Sequence, residues 1–154
     1  MGLAGNVRKF LRLDLATMLL ATEALFYLGW ARVLVAMPFA RVAPSLGASM
    51  EETTHLETDS DVDELIKVNS IIRVMSRHTF WESKCLVRAI AALKMLERRG
   101  IESTLYLGTA RDEQRKMIAH AWLRSGPFYI TGAEEMARFQ VIGMFAKRIS
   151  HKGN

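Results

Sequence analysis

Residues 84–108 read KCLVRAIAALKMLERRGIESTLYLG, and a change of period inside this stretch decides the fold. From about Glu82 to Arg99 the apolar side chains recur at helical spacing. At about 100° per residue, Cys85 falls in one row with Ala89, Ala92 and Leu96, beside Leu86, Ile90 and Leu93. Lys84, Arg88, Arg98 and Arg99 take the opposite face. Gly100 stands where a left-handed cap ends a helix. Beyond it the period drops to two, with Ser103, Leu105 and Leu107 pointing one way and Thr104 and Tyr106 the other, as along a strand.

Toward the C-terminus, a charged loop over residues 111–116 leads to a second strand from Met117 to Arg124. Met117, Ala119, Ala121 and Leu123 share one face of it, and His120 and Trp122 share the other. Ser125-Gly126-Pro127 turns the chain into a third strand around Phe128 to Thr131, and a fourth is expected at Phe139 to Phe145. Toward the N-terminus, Val62, Leu65, Ile66, Val68, Ile71, Ile72 and Met75 repeat at helical spacing, so a helix starts near Ser60 or Asp61. Residues 8–37 read as one or two amphipathic helices, broken by Gly29 or ended before Pro38; Pro38, Pro44, Gly47 and Ser49 then punctuate a loop. A helical half followed by an antiparallel half is an α+β fold. The apolar helices and Pro-containing loop of residues 1–50 are expected to pack on residues 51–154 as a single compact domain.

A chain of 154 residues is long enough to bury its own core without covalent staples. Its single cysteine, Cys85, excludes an internal disulfide and any zinc site built on two or more thiolates. His55, His78, His120 and His151 form no HExxH, and the glycines form neither GxGxxG nor a phosphate loop, so no metal or cofactor is expected. The net charge of +5 is unevenly spread: residues 51–64 hold seven of the 16 acids and no Lys or Arg, which leaves 21 basic against 9 acidic residues elsewhere. Such a field draws acidic peptides, anionic lipid and nucleic acid alike. No aromatic side chains interleave with the basic ones as a single-strand platform requires, which counts against nucleic acid.

The apolar N-terminal run reads as a core layer rather than a membrane span. Asp14, Glu23, Arg32 and Arg41 recur every nine residues and leave uncharged stretches of only eight. No small-residue cleavage site follows a short apolar core, and a cytoplasmic location is expected. Phe26, Tyr27 and Trp30 also suit peripheral contact with a membrane, or a docking face for another protein.

The chemistry-bearing pair is Cys85 and His120. A cysteine in the first turn of a helix has its thiolate favoured by the unpaired amides and the dipole there, with Lys84 and Arg88 acting in the same direction. A strand crossing that helix end brings His120 to the sulfur as general base and then as general acid. Helix with cysteine, then strand with histidine, then a polar residue on the next strand is the papain-type order. The competing reading makes Cys85 a small buried hydrophobe and His120 a structural side chain beside Trp122.

Four segments in order, Lys84-Cys-Leu-Val-Arg-Ala-Ile-Ala-Ala-Leu93, Leu96-Glu-Arg-Arg-Gly-Ile101, Leu105-Tyr-Leu-Gly108 and Ala119-His-Ala-Trp-Leu-Arg-Ser-Gly126, carry a resemblance. Together the chain resembles the transglutaminase-like leader peptidases of lasso-peptide biosynthesis. The likeness covers the C-terminal hundred residues best, and the apolar N-terminal helices are similar to the stand-alone form of that family. It implies a transglutaminase-like, papain-like core: a catalytic helix packed on a small antiparallel sheet. By position it implies Cys85 as nucleophile and His120 as its partner. The family commonly adds an aspartate about a dozen residues after the histidine. Here that region reads Tyr129-Ile-Thr-Gly132 with no aspartate, so Thr131 is the nearest candidate to orient the imidazole, with Glu134 and Glu135 a little beyond.

The implied reaction is removal of the leader from a ribosomally made precursor peptide. The backbone amide of Cys85 stabilises the oxyanion, and Thr79 or Ser83 is within reach as a second donor. The implied partners are the precursor, a separate leader-recognition protein and an ATP-dependent macrolactam cyclase. Two other readings stay open: an acyltransferase of the same fold, which passes the acyl group to an amine, and a non-catalytic binding module.

Overall fold

Asp14 opens the first helix of the described residues, accepting hydrogen bonds from Thr17 N at 3.3 Å and Thr17 Oγ1 at 2.6 Å and so satisfying an amide the helix cannot. The computed structural model describes residues 14–56, 61–79 and 84–150. Its elements, in chain order, are α1 (Leu15–Ala36), α2 (Phe39–Leu46), β1 (Ala48–Ser49), α3 (Val62–Ser76), α4 (Cys85–Arg98), β2 (Ser103–Arg111), β3 (Met117–Ser125), β4 (Phe128–Thr131), a 3-10 turn (Met136–Arg138) and β5 (Gln140–Lys147). The strands form one antiparallel sheet in the order β1-β5-β2-β3-β4. Helices followed by a small antiparallel sheet make the α+β fold expected from the sequence.

Helix α1 runs unbroken through Gly29 and stops at Met37, before Pro38. A lone glycine costs about 1 kcal/mol in a helix. Burial of Ala21, Ala24, Leu28, Ala31 and Leu34 along one stripe outweighs that cost. The alanines in the stripe let α1 come close to α4. On length and composition alone α1 could cross a membrane. In this fold its Glu23 is turned inward, where Arg99 donates to it at 2.6 and 2.8 Å and also to Glu64 of α3 at 2.9 Å. The outward stripe carries Leu15, Leu19, Phe26, Trp30 and Val33, all exposed.

Two elements replace the loop expected after Pro38. Val42 and Leu46 are buried and hold α2 to the core even though Pro44 lies within it, and β1 pairs with β5. Helix α4 lies between α1 and the sheet and is buried on several sides, from Val87 to Leu96, so it has no simple solvent face. Gly100, at φ +70°, ends it through Gly100 N to Glu97 O and Ile101 N to Leu96 O, both 3.0 Å.

Strand alternation then sorts the sheet. Leu105, Ala121, Leu123, Ile130 and Phe145 join the core with α4, whereas Tyr106, His120, Trp122 and Arg124 occupy the other face. Arg124, only 1% exposed, donates to the carbonyls of Thr53, Thr54 and Gly126 and to Tyr106 Oη. It straps the start of the acidic stretch across that face. Glu51 adds an ion pair to Arg148, and Glu52 accepts from Tyr106 Oη at 2.5 Å. This part of the acidic stretch is therefore docked on the sheet, not a freely solvated loop.

Candidate functional site

Cys85 is the first residue of α4, and a helix start leaves amides idle. The first bond runs from Arg88 N to Lys84 O at 3.0 Å, so the amides of Cys85, Leu86 and Val87 make no intrahelical bond. These donors and the helix dipole favour negative charge beside them, on a sulfur or on an oxyanion. Cys85 is a free, half-buried thiol packed against the core.

His120 stands on β3 opposite Gly108 of β2 and is 8% exposed. Trp122 lies 5.8 Å from its ring and Phe139 5.0 Å, centroid to centroid, and Trp122 stacks in turn on Tyr106. The third restraint is a hydrogen bond of 2.8 Å between His120 Nε2 and Gly132 O. A carbonyl only accepts, so Nε2 carries a proton, and the lone pair of the uncharged form of the ring is on Nδ1. The ring is thus fixed in orientation and in tautomer, with Nδ1 left to take a proton.

The backbone explains why Gly132 serves. Strand β4 ends at Thr131, opposite Leu123, and Gly132 turns at φ +74°. A Cβ at Gly132 would meet Ala121 O at 2.6 Å, Trp122 Cβ at 2.9 Å and His120 Nε2 at 3.1 Å. Only glycine lets the chain pass so close to the ring. The acceptor lies 12 residues after His120, where the resemblance leads one to look for an aspartate.

The other residues expected at the site make different contacts in this structure. Thr131 makes no hydrogen bond to the imidazole: its Oγ1 is buried with no hydrogen-bond partner among the described residues, and the next carbonyl, that of Gly132, meets the ring. Neither Glu134 nor Glu135 holds His120 Nε2. Thr79 Oγ1 donates to Ser76 O at 3.2 Å, at the end of α3. Ser83 lies outside the described residues.

No hydrogen bond joins Cys85 Sγ to His120 in this structure. Near both lies a cavity of about 340 Å³ that neither side chain lines; its walls include Arg88, one turn along α4 from Cys85, and Gly132, whose carbonyl holds His120. The Gly132 carbonyl and the arginines of this cavity were hidden from sequence reasoning, because a backbone acceptor has no side-chain signature. The one available signal was a glycine immediately after the third predicted strand.

Comparison with known proteins adds the following. A family model described as the transglutaminase-like superfamily matches residues 24–144, from the middle of α1 into β5. No curated protein and no solved structure matches the chain.

Proposed function

The chain belongs to the transglutaminase-like superfamily, and from that premise we propose that it is a cysteine peptidase that cuts the leader from a ribosomally made lasso-peptide precursor. The observation that carries the reading is the hydrogen bond from His120 Nε2 to Gly132 O, which leaves Nδ1 as the nitrogen able to act as base. The reading requires Cys85 Sγ and His120 Nδ1 to come into contact when substrate is bound. His120 then takes the thiol proton, and the thiolate attacks the scissile carbonyl. The idle amides of Cys85, Leu86 and Val87 receive the oxyanion. The C–N bond breaks, a thioester forms, and His120 returns the proton to the leaving amine. Water, deprotonated by the same nitrogen, hydrolyses the thioester and frees the thiol.

The leader is presented by a separate small recognition protein, for which the outward stripe of α1 is the best-suited surface. The freed core amine passes to an ATP-dependent cyclase, and the reaction is cytoplasmic. The test is to incubate the chain with candidate precursor and recognition protein, beside Cys85→Ala and His120→Ala. Each substitution is expected to lower cleavage by roughly 10³-fold or more. Cleavage surviving both overturns the reading, and an amide product in place of a free acid turns it into acyl transfer to an amine.

A further inference from the structure

The cavity that Arg88 and Gly132 share has a charge that the proposed chemistry does not use. Arg73 of α3, Arg77 just past the end of α3, and Arg88 of α4 line it with a single acid, Glu134, and among the described residues none of the three arginines is in an ion pair with a carboxylate. Arg88 Nε and Thr131 Oγ1 are closed off from solvent and have no hydrogen-bond partner there. Polar groups in that state are uncommon in folded proteins and call for an explanation. At about 340 Å³ the cavity lies at the low end of small-ligand pockets, the size for one side chain and its flanking backbone.

From these observations the geometry points to a subsite for a carboxylate: the Arg73–Arg77–Arg88 cavity binds an Asp or Glu side chain of the peptide substrate, close to the bond that is cut. This deepens the peptidase reading and rests on it. Arginine suits the role because its planar fork meets both oxygens of a carboxylate at once. Rotation of the Arg88 and Thr131 side chains gives their unmet donors an acceptor. Gly132 lines the same cavity and holds His120, so a side chain seated there keeps its own backbone near the ring.

The test separates the subsite from catalysis. Two fluorescein-labelled pools of random octapeptides, identical except for a central Glu or a central Gln, are titrated by anisotropy against the full-length chain carrying Cys85→Ala. The Glu pool is expected to bind at least tenfold more tightly. The triple variant Arg73→Gln/Arg77→Gln/Arg88→Gln should erase that difference. A variant that removes the same charge from the distant β2–β3 turn, Arg111→Gln/Arg115→Gln/Lys116→Gln, should keep most of it, and Glu134→Gln should widen it. Equal binding of the two pools, or a preference that survives the cavity triple variant, overturns the subsite. So does a preference lost equally in the turn variant, which would trace it to net charge. Discrimination between pools by a chain whose Cys85 form cleaves no precursor upholds the carboxylate site and removes the peptidase reading alone.

Discussion

His120 and Gly132 form a unit in which one residue supplies the ring and the other only its backbone. Gly132→Ala has to adopt left-handed φ, about 1 kcal/mol, and also push aside Ala121 O and Trp122, about 1–3 kcal/mol more. Gly100→Ala has the same sign of φ but open space around its Cβ, so it should lose only the first part. Urea unfolding of both variants should rank them in that order; equal losses would mean that Gly132 is not packed against the imidazole. Tyr106 gives a second residue-scale prediction. Burial first, and the bond to Glu52 second, push its hydroxyl up to about 12 from 10.0. An acid whose folded value is raised contributes stability that is complete below its unfolded value and lost as pH climbs to the folded one. Stability should therefore fall between about pH 10 and 12, by on the order of 2 kcal/mol, and Tyr106→Phe should flatten that fall in alkaline denaturation curves. At this scale Cys85 and His120 were legible in the sequence because their chemistry resides in side chains. The acceptor for His120 was not, since every residue owns a carbonyl.

Elements follow the balance between local propensity and burial. Helix α3, helix α4 and the four long strands were readable from their periods to within a few residues. Gly29 and Pro44 misled for one reason: each weakens a helix locally by an amount that the buried Leu28, Ala31, Val42 and Leu46 exceed. The inward Glu23 was read as a charge breaking an apolar run, whereas it ties α1 to α4 and α3 through Arg99. Replacing Glu23, with a side chain 11% exposed, by Gln removes the charge and leaves Arg99 short of one of its two hydrogen bonds there. Glu23→Gln should cost about 2 kcal/mol. Arg98→Gln, at a side chain 64% exposed, should cost about 0.5 kcal/mol or less. Chemical denaturation of the two variants checks this, and similar losses would contradict a stabilising inward pair.

Across the whole molecule, the uneven charge of the sequence acquires a structural meaning. The start of the acidic stretch is strapped over Arg124 and Arg148, while arginines from α3 and α4 converge on the cavity beside Gly132. Composition reveals the excess of basic residues but not where they gather, because that depends on how two helices pack. Arg88 of α4 and Gly132, whose carbonyl orients His120, line one cavity, and the account stands on Cys85 and His120 working together. The most direct measurement is the rate at which iodoacetamide alkylates Cys85 at neutral pH, in the native chain and in His120→Ala. If His120 Nδ1 draws the proton from the sulfur, the variant should react at least about tenfold more slowly than the native chain. Equal rates in the two proteins would show that the imidazole does not act on Cys85, and would contradict the account.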